Sequence, residues 1–139
     1  MIGSILTGKK PLVSVTRDTL ISAVTALLHR HRIGAVLVVE DGVILGLVSE
    51  RDICAGLHTH GAGILVAHAG EIMSSPVITA HPTTTVAQAM TTMTDRRFRH
   101  LPVVDSGRIL GLVSIGDLVK ARIEQAESEA AAMKDYITS

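Results

Sequence analysis

Residues 42–52 read Gly-Val-Ile-Leu-Gly-Leu-Val-Ser-Glu-Arg-Asp, and residues 107–117 repeat the stretch as Gly-Arg-Ile-Leu-Gly-Leu-Val-Ser-Ile-Gly-Asp. A shift of 65 positions aligns residues 34–53 with residues 99–118 without a gap, and ten of these twenty positions are identical. Each repeat has about 60 residues, a size at which a domain folding alone is only marginally stable. We therefore expect the two repeats to share one core.

The periodicity of apolar residues changes in the same order inside each repeat. Residues 20–28 and 86–93 have the spacing of an amphipathic helix, and residues 35–39 and 101–104 are continuous apolar strands. Asp41-Gly42 and Asp105-Ser106-Gly107 then predict hairpin turns into a second apolar strand that ends at a serine and a helix start. Because these strands are apolar throughout, we expect both of their faces to be covered.

This order predicts an α/β (α+β) fold made of two β-α-β-β-α repeats, with short extended lead-ins at 12–15 and 77–80. The predicted boundaries are 5–62 for the first repeat, 63–75 for a linker and lead-in, 76–122 for the second repeat and 123–139 for a C-terminal helical tail. The linker is rich in glycine, histidine and alanine, so we expect it to be flexible.

Composition argues against several functions. Thirteen basic and thirteen acidic residues cancel among 139, and the aromatic side chains are Phe98 and Tyr136 alone. Neither nucleic acid nor an acidic membrane surface is therefore an expected partner. The single Cys54 excludes an internal disulfide and a four-cysteine zinc site, and we expect it to be a small buried residue. With no leader pattern and no apolar run of about 20 residues, we expect a cytoplasmic protein.

Each Gly-Leu-Val-Ser-x-x-Asp motif follows a Val-Val-x-x-Gly hairpin, and the second repeat contains the strand Leu101-Pro102-Val103-Val104. With these paired motifs the chain resembles a tandem pair of CBS domains, a Bateman module. The similarity extends from about Ile5 to about Val119, with no catalytic domain attached. It implies two pseudo-twofold-related repeats with two clefts that often bind adenine nucleotides or related adenosyl compounds. It also implies pairing of modules into a homodimer.

Each Ser-x-x-Asp motif has two interpretations. A serine with an acid three residues later is the pattern of a helix capping box. In the family that the chain resembles, the same serine and aspartate bind ribose and the neighbouring phosphate. The helix start suits an anion, and a carboxylate can accept bonds from both ribose hydroxyls. The spacing by itself does not separate the two roles, and the resemblance favours ribose binding in at least one cleft.

The resemblance also assigns the residues of each cleft. One cleft would combine Ser114, Asp117, Asp18, Ala23, Gly34 and Ala35, with Arg99 at its edge. The other, which we prefer as the nucleotide site, would combine Ser49, Arg51, Asp52, Thr84, Ala89, Arg99 and His100. Arg99 and His100 can contact phosphate, whereas Gly34 and Ala35 carry no charge and Asp18 would repel it, so the clefts should be unequal. The nearby basic residues His29, Arg30, Arg96 and Arg97 are typical of solvated helix ends.

Other candidate sites are weaker. His58, His60 and His68 lack a cysteine or paired carboxylate to complete a metal site, so we expect none. Neither serine motif contains a histidine base, so we expect no catalytic residue and no enzyme activity. Apolar residues of the tail have a heptad-like spacing, which favours a helix that packs on its own module or on a partner.

The sequence thus predicts a regulatory homodimer that senses an adenosyl ligand such as AMP, ADP, ATP, S-adenosylmethionine or NAD(H). It requires no obligatory cofactor, and it signals to a target protein by rearranging the dimer. The alternative hypothesis is a ligand-free interaction scaffold that dimerises through its repeats, with both Ser-x-x-Asp motifs serving only as caps.

Overall fold

The computed structural model describes residues 1–9 and 11–138, and the chain divides into two compact units. The first unit is Pro11–Ile78, and the second combines Met1–Lys10 with Thr79–Ser139. Residues 1–9 therefore pack with the second repeat, although residues 5–9 were predicted to belong to the first. The repeat pattern did not predict this grouping. That the two repeats share one core stays a prediction.

The first unit contains a three-stranded sheet in the order β1-β2-β3. Strand β1 is parallel to β2, and β2 and β3 form an antiparallel hairpin. Two short helical segments after α2 complete the unit. The elements are β1 (Ser14–Val15), α1 (Ile21–His31), β2 (Ala35–Glu40), β3 (Val43–Ser49), α2 (Glu50–His60), a 3₁₀ helix (Gly61–Val66) and α3 (Ala69–Ile72).

The second unit repeats this order with a shorter lead-in. Ala80 forms a single parallel bridge with Val103, which corresponds to the β1–β2 pairing of the first unit. Its elements are an N-terminal 3₁₀ helix (Ile2–Gly8), α4 (Val86–Arg96), β4 (His100–Asp105), β5 (Arg108–Ser114) and α5 (Ile115–Thr138). The predicted mixed α+β class and the C-terminal helix are confirmed, and the tail is continuous with the helix that follows Ser114.

Both hairpin turns match their sequence signals. Asp41 and Gly42 have φ values of 52° and 76°, and Ser106 and Gly107 have 51° and 77°. Two consecutive positive φ values are the geometry of the type I′ turn, whose twist suits a two-residue hairpin. Each hairpin also carries an irregularity two residues before its first strand ends, at Val38/Val39 and at Val103/Val104.

Three local expectations were wrong. Strand β2 is buried from Ala35 to Val38, but β3 and β5 alternate between buried and more accessible residues, so they are not covered on both faces. Cys54 is exposed because Ile53 and Gly56 form the buried face of α2, and Cys54 points away from that face. The region expected to be a flexible linker is helical and anchored, since Ile64 and Ala69 are part of the first unit's core.

Candidate functional site

Ser49 and Asp52 form a complete capping box at the start of α2. The Asp52 backbone N–H donates to Ser49 Oγ at 3.2 Å, and the Ser49 backbone N–H donates to Asp52 Oδ2 at 2.8 Å. The Ser49 hydroxyl donates to the same Oδ2 at 2.9 Å. The capping interpretation is therefore correct for this motif, and the cap fixes the half-buried carboxylate in the first turn of α2.

Ser74 completes the environment of the Asp52 carboxylate. Its hydroxyl donates to Asp52 Oδ1 at 2.8 Å, and the segment that carries it is tied to β3 by two backbone hydrogen bonds with Leu47, of 3.1 and 2.8 Å. Both carboxylate oxygens thus have a partner within the first unit. A carboxylate has about four acceptor positions, so Asp52 can still accept a further hydrogen bond.

The second motif has the same cap and a different additional partner. The Ser114 backbone N–H donates to Asp117 Oδ2 at 2.8 Å, and the Asp117 backbone N–H donates to Ser114 Oγ at 3.1 Å. The Lys9 ammonium donates to the same Oδ2 at 2.5 Å and to the Leu112 carbonyl at 2.8 Å. The contacts from Lys9 and from the Ser114 N–H are both to Oδ2, and neither involves Asp117 Oδ1.

These contacts keep Asp117 ionised. Partial burial raises the pKa of the Asp117 carboxyl, but the hydrogen bonds from Lys9 and from Ser114, with the charge of Lys9, outweigh burial and hold the pKa below its ordinary value. The Lys9 side chain is 35% exposed and that of Asp117 is 26% exposed. Asp117 is therefore a partly shielded anion at the first turn of α5.

Lys9 and Ser74 are not among the site residues predicted from the sequence. They are related by the same 65-residue shift as the two motifs, and each donates to the aspartate at the start of a helix. The 65-residue shift could therefore have predicted that positions 9 and 74 are equivalent. However, the two residues differ in type, and the contacts join segments that are far apart in sequence. Local periodicity therefore does not reveal them.

The first strand of each hairpin brings further predicted residues beside its serine. Ala35 is paired with Ser49, and the Glu50 N–H donates to the Gly34 carbonyl at 3.0 Å. In the same way His100 is paired with Ser114, and the Ile115 N–H donates to the Arg99 carbonyl at 2.8 Å. Each unit thus brings its strand start and its Ser-x-x-Asp motif together. The assignment of these residues to two clefts stays a prediction.

The other predicted site residues differ in accessibility. Ala23, Arg51 and Arg99 are exposed, and Thr84 is half-buried. Ala89 is fully buried. Asp18 is exposed and lines a groove of about 350 Å³ in the first unit, together with Arg17, Leu45, His68, Gly70, Glu71 and Met73.

His68 has a structural role. Its imidazole Nδ1 lies 2.8 Å from Glu71 Oε1, and its backbone N–H donates to the same oxygen at 3.2 Å, at the start of α3. These hydrogen bonds hold the pKa of the exposed Glu71 carboxyl below its ordinary value. In the described part of the chain, no three side chains of the His, Cys, Asp and Glu types come close enough to hold a metal ion.

A search of the helices in residues 1–9 and 11–138 found none that is both long and apolar enough to cross a membrane. The longest, α5, has charged residues at short intervals along its length.

Comparison with known proteins identifies the repeats. The sequence model of the CBS domain matches residues 2–59 and 69–124. The CBS domain-containing protein CBSX3, mitochondrial, of Arabidopsis thaliana is 35% identical over 127 residues. That match covers 88% of this chain and 61% of the plant protein, so the chain spans less than two thirds of this relative.

Solved structures agree with this match. The CBS-domain containing protein ATU1752 from Agrobacterium tumefaciens is 39% identical, with a TM-score of 0.83 over 87% of this chain and 98% of that one.

Two other similar structures hold ligands. PAE2072 from Pyrobaculum aerophilum, complexed with AMP, is 30% identical, with a TM-score of 0.74 over 84% of this chain and 88% of that one. The CBS domain pair of MJ0100, in complex with 5-methylthioadenosine and S-adenosyl-L-methionine, is 25% identical, with a TM-score of 0.80 over 90% and 97%. With two matched repeats and these neighbours, the chain belongs to the CBS-domain family as a tandem pair.

Proposed function

We propose that this chain is a regulatory module without catalysis of its own that binds an adenosyl ligand through its two Ser-x-x-Asp motifs. The observation that carries the proposal is the arrangement of Asp52 and Asp117, each a carboxylate held by a cap at the start of a helix. It is supported by two similar CBS-domain proteins that are complexed with AMP or with methylthioadenosine and S-adenosylmethionine.

The chemistry of the motif suits a ribose. An ionised carboxylate only accepts hydrogen bonds, so it takes the 2′- and 3′-hydroxyls as donors. The hydrogen bonds that fix Asp52 and Asp117 orient each carboxylate before a ligand arrives, which lowers the entropy that binding must overcome. The positive end of the helix dipole adds attraction for a neighbouring phosphate.

The two sites would differ in charge. Arg99 and His100 stand at the start of β4, while Gly34 and Ala35 hold the equivalent positions at the start of β2. We prefer, as the resemblance implies, a nucleotide site made of Ser49, Arg51, Asp52, Thr84, Ala89, Arg99 and His100, in which the Arg99 guanidinium contacts phosphate. The second site would use Ser114 and Asp117 with Asp18, Ala23, Gly34 and Ala35. Its aspartate already contacts Lys9, so a ligand there must bind beside the lysine or displace it.

Regulation would act through a cytoplasmic homodimer. A ligand that binds one packing of the dimer more tightly shifts the population toward it and changes the surface offered to a target protein. The alternative is a ligand-free scaffold that dimerises through its repeats. The capping boxes at both motifs favour this alternative, since they give each serine and aspartate a structural role.

Calorimetric titration of dialysed protein with AMP, ADP, ATP, S-adenosylmethionine and NADH separates these hypotheses. We expect one compound to bind selectively and Asp52→Ala to weaken it by roughly ten- to one-hundred-fold, since a hydrogen bond to a charged group contributes about 1.5–3 kcal/mol. Asp117→Ala reports on the second site in the same way.

Asp52→Ala removes a capping partner of α2 together with the carboxylate proposed to bind ribose. Its control must therefore lose a capping partner at another helix and keep Asp52. Gln88→Ala does so, since Gln88 completes the capping box of α4 with Thr85. Full affinity in both Asp52→Ala and Asp117→Ala would exclude the ribose role of these two carboxylates. No binding of any compound to ligand-free protein would exclude the sensor and favour the scaffold.

A further inference from the structure

The distal part of α5 is exposed to solvent along its length. Every residue from 122 to 138 is exposed, and Leu118 near the start is the one residue of the described helix that is buried. At 1.5 Å per residue, these residues form a rod about 25 Å long. An isolated helix of this length is marginally stable in water, so its folding favours a partner.

The exposed segment carries an apolar stripe with a heptad spacing. Ile123, Met133 and Ile137 are 53%, 61% and 73% exposed, which is unusual for such large apolar side chains. The complete stripe occupies alternating a and d positions, in steps of four and three residues. Its members are Val119, Ile123, Ala126, Ala130, Met133 and Ile137.

Charged residues beside the stripe specify how two copies pair. The e and g positions of a heptad lie on either side of the a/d stripe. In a parallel pair of helices in register, a g residue faces the e residue that comes five positions later on the other helix. Arg122 of one copy then faces Glu127 of the other, and Glu129 faces Lys134. Both contacts join opposite charges, and the twofold symmetry of a homodimer makes each of them twice.

Antiparallel arrangements are less favourable. Full antiparallel overlap places Lys120 against Lys134 and sets Glu129 against its own copy, so like charges meet at both sides. Shifting the helices by one heptad removes this repulsion, but it leaves Met133 and Ile137 without a partner. The parallel pair alone joins opposite charges while covering the whole stripe.

We propose that the partner of this stripe is a second copy of the chain, in a parallel two-stranded coiled coil of residues 119–137. This proposal rests on the homodimer of the proposed function and names the surface that forms it. The same helix begins at the Ser114–Asp117 cap, so the dimer contact and one candidate ligand carboxylate share a single rigid element. A ligand at Asp117 would therefore act on the helix that joins the two copies.

Cysteine cross-linking tests the parallel arrangement. In a Cys54→Ser background, which removes the exposed native thiol, Ala126→Cys places two thiols at facing d positions of a parallel pair. Oxidation by oxidised glutathione should then convert most of the protein to a covalent dimer. Ser128→Cys, two residues away on the outer face, is the matched control and should stay largely monomeric on a denaturing gel. Equal cross-linking of both variants, or of neither, would overturn the proposal.

A charge reversal tests the specificity. Glu127→Lys turns both Arg122 contacts from attractive to repulsive, and we expect the dissociation constant of the dimer to rise about ten-fold in sedimentation equilibrium. Glu124→Lys makes the same charge change at an outward position and should leave the constant within about two-fold. The double variant Arg122→Glu/Glu127→Lys restores opposite charges and should recover the affinity.

The outcomes of these experiments separate the coiled coil from the homodimer of the proposed function. A wild-type dimer that Glu127→Lys does not weaken, and in which Ala126→Cys does not cross-link, dimerises through another surface, so the coiled coil is excluded and the homodimer stands. A monomeric wild-type chain excludes both. If the stripe instead binds a different helical protein that co-purifies with the chain, the coiled coil between two copies is also excluded. Ligand binding is measured independently by calorimetry.

Discussion

At the scale of single residues, the contact between Lys9 and Asp117 gives the second Ser-x-x-Asp motif a property that the first lacks. Asp52 has the neutral Ser74 hydroxyl beside it, whereas Asp117 has an ammonium group. The carboxylate that would hold a ribose in the second unit is therefore already paired with a positive charge. Lys9 can also bind a ligand that carries a 5′-phosphate. If the ligand displaces the Lys9 ammonium from Asp117, the ammonium stays close to the phosphate and can form an ion pair with it.

Replacement of Lys9 by Met should change the pH dependence of stability. The pKa of Asp117 is lowered in the folded chain, so the contact stabilises at neutral pH, and this contribution is lost as the pH falls below about 4, through the folded pKa. We expect Lys9→Met to lower the free energy of unfolding by about 0.2–1 kcal/mol at pH 7. Urea denaturation from pH 7 to pH 2.5 measures it.

In the same titration the difference from wild type should shrink toward zero below the folded pKa of Asp117, where its carboxyl is protonated. Arg30→Met, which removes a cation from the exposed end of α1, is the control. A deficit in Lys9→Met that stays constant down to pH 2.5 would show that Lys9 acts through packing and not through its charge.

At the scale of elements, the second strand of each hairpin needs a glycine where another segment crosses it. A Cβ atom on Gly46 of β3 would lie 2.5 Å from Met73 Sδ and 2.9 Å from the Ser74 carbonyl oxygen. A Cβ on Gly111 of β5 would lie 2.8 Å from Leu6 Cδ2. The segment that crosses β3 is the one that brings Ser74 to Asp52, so this close packing also positions the candidate site.

Substitution of Gly46 by Ala should therefore be costly. The added methyl group meets the Ser74 backbone, which moves less easily than a flexible side chain, and we expect a loss of about 1–3 kcal/mol in unfolding free energy. Gly63→Ala, where no atom lies within 4 Å of the new Cβ, is the matched control. Thermal denaturation of both variants checks this, and equal melting temperatures would contradict the packing argument.

At the scale of the whole molecule, each unit is completed by a segment from the beginning of the other repeat. Residues 2–9 pack in the second unit, where Ile2 is fully buried and its N–H donates to the Thr84 carbonyl at 2.8 Å. Residues 67–74 pack in the first unit, where the Ala69 N–H donates to the Thr19 carbonyl at 2.7 Å. Both aspartates thus receive their additional donor from such a segment.

An Ile2→Ala substitution should act on the second unit selectively. Removing most of a fully buried isoleucine side chain costs about 2–5 kcal/mol. In hydrogen exchange followed by mass spectrometry, we expect faster exchange in β4 and β5, with β2 and β3 changed less. Thr7→Ala, exposed on the same 3₁₀ helix, should exchange like wild type. Faster exchange confined to β2 and β3 would contradict this assignment of segments.

The sequence by itself determined the repeated elements, both hairpin turns and the helix starts at the two Ser-x-x-Asp motifs, because each depends on residues within a few positions of one another. It also identified the CBS family, since two ordered copies of one motif are specific. Only the tertiary structure decided that Lys9 and Ser74 reach the aspartates, that residues 61–72 are anchored and that Cys54 is exposed. Those features depend on which distant segment covers each surface, and the free energy of such long-range packing is not encoded in local periodicity.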